Sequence, residues 1–368
     1  MIPVNEPDLG ALELEYVNDC LATGWISSAG NYIDAFEREW ASYCGRTYGV
    51  AMCNGTAALS AAVAALRLSP GDEVILPSFT IISCALAVVE NGGVPVLVDC
   101  DPDTWTMNVD SLAGKVTGRT AAIMPVHIYG HPAEMDPIQE LARARGLAII
   151  EDAAEAHGAR CKGRLCGSFG EMSCFSFYAN KIITTGEGGM VLTDSPELVE
   201  RLRSQRNLAF RPEQRFFHTE LGHNYRMTNI QAAIGLAQLR KIESHLEKKR
   251  WMANAYHERL KAFDQLQLPQ ERAWAWNVYW MYGVVLRASA GMDARQFADR
   301  LRQNGVETRP FFLGMHQQPV FHRMGLFAEE SYPVTEHIAR YGLYLPSGLT
   351  ISEDQIDQVC DAIRKALS

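Results

Sequence analysis

Residues 47–151 alternate short, uninterrupted apolar runs with stretches of helical periodicity, and no other feature of the chain constrains its fold as strongly. Continuous runs of Val, Ile and Leu are typical of strands buried on both faces, which occur in parallel sheets covered by helices. The predicted strands are Tyr48–Cys53, Glu73–Leu76, Val94–Val98, Ala121–Val126 and Leu147–Ile150. We therefore expect an α/β fold in which a mostly parallel sheet lies between helices.

Two further strands are predicted at Phe175–Phe177 and Met190–Thr193, and we interpret them as a hairpin around the Gly-rich residues 186–189. The apolar positions from Asn229 to about Leu260 recur at a helical period. This period predicts one long helix that bridges two domains.

The length of 368 residues suits two domains at typical domain sizes. Beyond the long helical pattern, shorter strand and helix patterns predict a smaller α+β domain. These patterns cover Tyr279–Leu286, Asp293–Asn304 and Asp354–Ala366. We place a large domain at residues 1–240 and a small domain at 241–368, and we expect the first residues to pack on the small domain.

The charge balance and the cysteine pattern argue against several classes of protein. The formal net charge is -9, so the chain lacks the basic surplus typical of nucleic-acid-binding proteins. Its nine cysteines contain no CxxC pair, which is typical of reduced thiols rather than of a zinc site or a disulfide framework. No signal-peptide pattern is present, and no apolar run reaches the ~18 residues of a membrane span. We therefore expect a cytoplasmic protein without a membrane or nucleic-acid partner.

Residues 53–59, Cys-Asn-Gly-Thr-Ala-Ala-Leu, join a predicted strand to a predicted helix. Gly55 permits a tight turn, and Thr56 offers a hydroxyl and a backbone amide where the helix begins. Such a turn suits a phosphate group, which the free amides and the helix dipole attract. An ordinary helix N-cap explains the same residues without a ligand, and for this segment alone it is the better explanation.

Asp152 follows the predicted strand Leu147–Ile150, at the edge where open α/β sheets bind ligands. A carboxylate at this place could hold a pyridine nitrogen protonated by charge pairing. A loop acid that caps a helix is the alternative interpretation, and the segment alone does not separate the two.

Lys181 lies in the segment Phe175–Met190, among apolar and hydroxyl residues, and is the only lysine between Lys162 and Lys241. A partly buried lysine has a lowered pKa and can form a Schiff base with a carbonyl group. A surface lysine after a strand is the alternative, but the glycines at 186–189 indicate a close approach of backbone that favours a site.

Together these segments resemble the sugar aminotransferases of the DegT/DnrJ/EryC1/StrS family, which are pyridoxal-phosphate (PLP) enzymes of fold type I. The resemblance covers essentially the whole chain. It is carried by Ile2–Val4, Gly24–Ser28, Pro125–Gly130, Phe175–Met190, Asn224–Gly235 and Leu345–Ser347.

The resemblance implies a role for each cofactor-site residue. Lys181 would carry PLP as a Schiff base and move the proton, and Asp152 would pair with the pyridine nitrogen. Glu155, where many relatives have Gln, would hydrogen-bond the ring hydroxyl. Ile81 takes the position of an aromatic residue that stacks on the ring in many relatives. The implied phosphate ligands are Gly55, Thr56, Ser176 and, from the neighbouring subunit of a homodimer, Asn224.

The resemblance further implies L-glutamate as amino donor and a nucleotide-linked 4-keto-6-deoxy sugar as acceptor. The segments Asn180–Met190 and Arg309–Phe312 favour GDP-4-keto-6-deoxymannose, with a UDP- or dTDP-linked keto-sugar as the alternative. Two rival functions are a PLP-dependent sugar dehydratase, a branch in which His replaces the lysine, and a regulator without enzymatic activity.

Four more residues are candidates for contact with the substrate. Arg226 and Arg309 are suited to a diphosphate, although a structural salt bridge is as good an explanation. His127 and His316 form no HxH or HxxxH pair, so we interpret them as ordinary or substrate-facing polar residues and expect no metal.

Overall fold

The computed structural model describes residues 1–211 and 214–368. Its strands are β1 (Tyr48–Met52), β2 (Glu73–Pro77), β3 (Val94–Val98), β4 (Thr120–Ile123), β5 (Ala148–Asp152), β6 (Arg160–Cys161), β7 (Arg164–Leu165), β8 (Met172–Ser176), β9 (Gly189–Thr193), β10 (Leu266–Gln267), β11 (Ala275–Trp276), β12 (Gly283–Leu286), β13 (Arg309–Pro310) and β14 (Gly342–Tyr344). Its α-helices are α1 (Ala11–Thr23), α2 (Asn31–Tyr43), α3 (Gly55–Leu66), α4 (Ser83–Glu90), α5 (Val109–Leu112), α6 (Met135–Arg145), α7 (Pro196–Arg206), α8 (Asn229–Leu239), α9 (Ile242–Leu260), α10 (Ala294–Gln303), α11 (Pro319–Arg323), α12 (Pro333–Tyr341) and α13 (Glu353–Leu367).

A seven-stranded sheet, in the order β1-β9-β8-β5-β4-β2-β3, forms the centre of the larger part of the molecule. Strands β3, β2, β4, β5 and β8 run parallel to their neighbours in this series. Strand β9 is antiparallel to both β8 and β1. The predicted α/β fold with a mostly parallel sheet is confirmed, as is the predicted hairpin of β8 and β9.

The sheet is buried on both faces, and β2 shows this because its alternate residues point into different clusters. Val74 and Leu76 of β2 belong to the core beneath α3 and α4, whereas Ile75 between them belongs to the core beneath α6. Apolar side chains are therefore needed along both faces, and polar side chains collect where the strands end.

The predicted single helix from Asn229 to Leu260 is wrong, because α8 ends at Leu239 and α9 begins at Ile242. At the break, the Lys241 amide bonds Gln238, three residues back, at 3.0 Å. The Lys241 ammonium lies 2.7 Å from Glu13 of α1. The apolar period resumes at Ile242, so periodicity alone could not show an interruption of two residues.

A second, antiparallel sheet of four strands, in the order β10-β12-β14-β13, packs with α9, α10 and α13 in a separate apolar cluster. Ile2 belongs to this cluster, and its amide donates to the Gly305 carbonyl at 2.8 Å. The predicted strand Tyr279–Leu286 is shortened to β12, since Tyr279 has a left-handed φ of 47° that a strand does not accommodate. The domain boundary near residue 240 stays a prediction.

The short sheet of β11, β6 and β7 was not predicted, since two-residue strands leave no recognisable pattern. Within the two described ranges, no helix combines the length and the apolar character that a bilayer crossing requires. The same residues contain no cluster of three His, Cys, Asp or Glu side chains that could hold a metal ion.

Candidate active site

A cavity of about 420 Å³ opens at the edge of the large sheet where its parallel strands end. Its volume lies in the range of small-molecule and cofactor sites, and its place is the one at which open α/β sheets bind ligands. Its lining includes Gly55, Thr56, Ile81, Asp152, Glu155, Ser176 and Lys181. These are all the predicted cofactor-site residues except Asn224.

The wall formed by the start of α3 suits an anion. The Asn54 side chain caps the helix by accepting the Ala57 amide at 2.8 Å, and neither Gly55 nor Thr56 donates its amide to another described residue. A Cβ atom at Gly55 would lie 2.7 Å from the Ser176 Cβ, so only glycine lets the helix start approach β8 this closely. Free amides at a helix N-terminus, beside the Ser176 hydroxyl, can bind a phosphate group.

Asp152, the last residue of β5, lies in the floor of the cavity and is 2% exposed. One carboxylate oxygen accepts the Ala154 amide at 3.0 Å, and the other accepts the Cys84 thiol at 3.0 Å. These two donors fix the plane of the carboxylate without neutralising its charge. The carboxylate can therefore stabilise a cationic group that enters the cavity.

Lys181 and Glu155 face each other at 3.7 Å, with side chains 10% and 7% exposed. Burial lowers the pKa of the Lys181 amine, although Glu155 and Asp152 act against the shift. Burial likewise raises the pKa of Glu155 to about 7, against the opposing influence of Lys181. A larger neutral fraction makes the Lys181 amine a better nucleophile than an exposed lysine.

Several residues of the cavity were missed by the sequence analysis. Those lining it are Asn54, Thr80, Ser83, Tyr178, Asn180, Glu187, Trp280, Phe312 and Tyr344. The Trp280 ring centroid lies 3.6 Å from the Lys181 Nζ atom. Asn54 and Asn180 lie within segments that were recognised, Phe312 ends the segment Arg309–Phe312, and Tyr344 directly precedes Leu345–Ser347. Trp280 lies far from these segments in sequence, and nothing marked it as a site residue.

The structure does not bring His127 or His316 into the cavity. Both nitrogens of His127 have protein partners: Nε2 lies 3.0 Å from Glu151, and Nδ1 accepts the Ala133 amide at 2.9 Å. His316 Nε2 lies 3.1 Å from Glu336. Both rings are buried, at 0% and 5% exposure, so an interpretation as substrate-facing residues has no support in the geometry.

Arg226, Arg309 and Asn224 also lie outside the cavity of the single chain. Arg226 donates to the Asn207 side chain at 2.6 Å, and Arg309, 48% exposed, pairs with Glu307 at 2.7 Å. Asn224 is exposed on the segment before α8. Of the two interpretations of Arg309, the structural salt bridge is therefore the one that the contacts support.

The donor set of the cavity fits PLP. A buried amine can bond its aldehyde carbon, a carboxylate can pair with its ring nitrogen, and the start of α3 can receive its phosphate. The cradle between Gly55 and Ser176, which a Cβ atom would fill, is shaped for that last contact.

Comparison with known proteins agrees with this geometry. The chain matches the model of the DegT/DnrJ/EryC1/StrS aminotransferase family over residues 7–364. It is 42% identical to the GDP-perosamine synthase of Caulobacter vibrioides, covering 100% of this chain and 98% of the relative. It is 40% identical to the GDP-perosamine synthase of Escherichia coli O157:H7, covering 100% and 99%.

A solved structure shows the same fold. The aminotransferase TlmJ from Streptoalloteichus hindustanus superimposes with a TM-score of 0.92 at 32% identity, covering 100% of this chain and 99% of that one. The resemblance seen in the sequence is confirmed by the match along the whole chain, and the protein belongs to the DegT/DnrJ/EryC1/StrS family of PLP-dependent aminotransferases.

Proposed function

We propose that the protein transfers an amino group from L-glutamate to a nucleotide-linked 4-keto-6-deoxy sugar, with GDP-4-keto-6-deoxymannose as substrate and GDP-perosamine as product. The observation that carries the proposal is the buried Lys181 amine facing the same cavity as Asp152. It occurs in a chain that is 40% and 42% identical, over its whole length, to two proteins named GDP-perosamine synthase.

PLP, when bound, supplies an electron sink through which an amino group can pass between two carbonyl carbons. We assign its covalent attachment to Lys181, whose free Nζ atom would also take up and return the migrating proton. Asp152 would keep the ring nitrogen protonated, and the Cys84 thiol and the Ala154 amide hold its carboxylate in place. Glu155 is held by the Tyr129 amide at 2.7 Å and is assigned the hydrogen bond to the ring hydroxyl.

The phosphate is assigned to the Gly55 and Thr56 amides and the Ser176 hydroxyl. Ile81, 42% exposed at the cavity, would cover the ring with an aliphatic side chain instead of an aromatic one. These contacts bind and orient the cofactor without taking part in proton transfer.

We further propose that the working unit is a homodimer in which Asn224 reaches the phosphate of the neighbouring subunit. Asn224 is exposed, and its segment carries Phe216, Phe217 and Leu221 with exposures of 80%, 53% and 87%. Large apolar side chains left open in this way mark a surface that a partner covers. The cytoplasm stays the predicted compartment.

The rival functions have less support. A dehydratase of this fold carries His in place of the Schiff-base lysine, whereas this chain has Lys181. A regulator without activity would have no need of a buried amine opposite a buried carboxylate. No contact of the described residues favours a second function.

The proposal is tested by incubating the holoenzyme with L-glutamate and GDP-, UDP- or dTDP-linked 4-keto-6-deoxy sugars, with products identified by mass spectrometry. We expect kcat/KM for the GDP-linked sugar to exceed the other two by at least about tenfold, because a site that satisfies guanine leaves polar groups unpaired with a pyrimidine. Lys181→Ala is the control without transfer. Equal use of a UDP- or dTDP-linked sugar would refute the substrate assignment alone, and no transfer to any keto-sugar would refute the function.

A further inference from the structure

Trp280, three residues before β12, contacts the reactive amine of Lys181. Its ring lies 3.6 Å from the Lys181 Nζ atom, and its indole N–H donates to the Asn180 carbonyl at 2.7 Å. It therefore holds the residue before Lys181 and covers the amine itself. The face of an aromatic ring stabilises a cation, so the position of this ring affects how readily the amine binds a proton.

The backbone of Trp280 is held from two sides. On one side Gly130, with a φ of 97°, leaves no room for a Cβ atom, which would lie 2.8 Å from the Trp280 nitrogen. On the other side the Lys249 ammonium donates to the Trp280 carbonyl at 2.7 Å and to the Ser347 carbonyl at 2.5 Å. Lys249 thus joins α9, the Trp280 segment and the segment after β14.

Lys249 is an unusual residue for that place. It is 2% exposed, and it forms no ion pair with a carboxylate in the part of the chain that the structure describes. Burial lowers its pKa to about 7. A buried cation held only by carbonyl groups stabilises a fold less well than an apolar side chain of equal length, so its contribution must be sought in what it positions.

We propose that Lys249 is a positioning residue, which holds Trp280 over Lys181 and so sets the protonation and orientation of the Lys181 amine. The inference rests on the proposed function, in which Lys181 carries the cofactor. It assigns Lys249 no contact with the cofactor or the substrate. The other charged groups that act on the Lys181 amine are Glu155 and Asp152, and neither touches Lys249.

The test compares Lys249→Met, which keeps the length but removes the donors, with Lys248→Met, a matched change of the neighbouring lysine, which lies over Trp251. Visible absorbance of the holoenzyme is titrated against pH, since it reports protonation at the Lys181 nitrogen. Without Lys249 the Trp280 ring is no longer held over Lys181, and its loss disfavours the protonated Lys181 nitrogen. We therefore expect Lys249→Met to lower the midpoint of the absorbance titration by about half a pH unit or more. We also expect kcat to fall about tenfold, with KM changed by less than about twofold, as for lost orientation in the transition state.

Further variants keep the outcome decisive. Trp280→Leu removes the ring and sets the direction and the upper limit of the shift. Lys249→Gln keeps an uncharged donor and should give a midpoint between those of Lys249→Met and the wild type; it also replaces Lys249→Met if that variant does not fold. Lys248→Met should leave the midpoint unchanged. A Lys249 variant with the wild-type midpoint, or with a midpoint shifted upward as expected from mere loss of a nearby charge, would overturn the proposal.

A second measurement separates this inference from the proposed function. The pH dependence of Lys181 labelling by an amine-reactive reagent, read by mass spectrometry, gives the pKa of the amine in the cofactor-free chain. Absence of a Lys181-linked cofactor in the wild type would refute the function, while a labelling pKa lowered by Lys249→Met would still support the positioning role. An unchanged labelling pKa would refute that role whatever the cofactor does.

Discussion

The predicted site has an inner part, which carries the reactive groups, and an outer part, which carries candidate substrate and phosphate contacts. The two parts differ in how a single chain places their residues. In the inner part, Asp152, Glu155 and Lys181 are buried at the end of the sheet and have assigned partners. In the outer part, Arg309 and Asn224 are exposed and lie outside the cavity. The difference teaches that one chain by itself brings the reactive amine and the two carboxylates together, whereas Asn224 can contribute to a site only in the homodimer that we propose.

Lys181→Ala should have the largest effect on the inner part. No other amine lines the cavity among the described residues, so turnover should fall by at least ~10³-fold and the absorbance band of the Lys181-linked cofactor should disappear. Cofactor should still bind without a covalent link, through the phosphate contacts. Turnover assays and absorbance spectra measure both; a variant with wild-type turnover would show that the amine lies elsewhere.

Asp152→Asn should slow the amino transfer by about 100-fold or more while leaving the fold intact, because a neutral amide does not hold the ring nitrogen protonated. Single-turnover bleaching of the holoenzyme with glutamate measures the rate. Cys84→Ser, which keeps a donor 3.0 Å from the same carboxylate, is the matched control and should cost only a few-fold. An Asp152→Asn rate within a few-fold of wild type contradicts the assignment.

Gly55→Ala tests the close approach of α3 to β8. The added Cβ atom would lie 2.7 Å from the Ser176 Cβ, so one wall must move. We expect cofactor affinity to fall about tenfold and stability to fall by roughly 1–3 kcal/mol, as for overpacking. Gly114→Ala, where a Cβ atom meets nothing within 4 Å, is the control. Equal affinities for the two variants would mean that the cradle is not the phosphate site.

Glu155 should make the stability of the cofactor-free protein depend on pH. Its pKa is raised from 4.5 to about 7 in the folded chain, so protonation of Glu155 favours the folded state. This contribution to the free energy of unfolding is fully present below pH 4.5 and is lost as the pH rises to about 7. We expect the unfolding temperature of the wild type to decline by a few degrees across this window relative to Glu155→Gln. If the unfolding temperatures of the two proteins change with pH in the same way across this window, the raised pKa of Glu155 is excluded.

Asn224→Ala probes the outer part and should have the smallest effect. We expect cofactor affinity to fall by about tenfold or less, as for one hydrogen bond with the usual net contribution of about 0.5–1.5 kcal/mol, with no change in the unfolding temperature of the isolated chain. Sedimentation and cofactor titration over a range of protein concentrations measure assembly and affinity together. If the variant is a monomer and binds cofactor as tightly as the wild type at every protein concentration, Asn224 has no part in cofactor binding. The distinction between the inner and outer parts of the site would then fail.

The sequence predicted the inner part well for a physical reason. Parallel strands buried on both faces are continuous apolar runs, so Asp152 and Lys181 stand out where such runs end. Trp280 could not be found in this way, because its contact with Asn180 spans 100 residues and no local pattern records it. A buried His127 that bonds Glu151 looks the same in sequence as one that faces a substrate, so the two interpretations of this histidine could not be separated there.

The hairpin of β8 and β9 bears on the order in which the site folds. Lys181 lies on the connection between these two strands, so the chain leaves and re-enters the sheet within a short loop. Loops this short close at low entropic cost, whereas contacts from Trp280 await the closure of a far longer one. The lysine-bearing wall is therefore built from contacts that are local in sequence, whereas its cover by Trp280 depends on a contact that spans 100 residues.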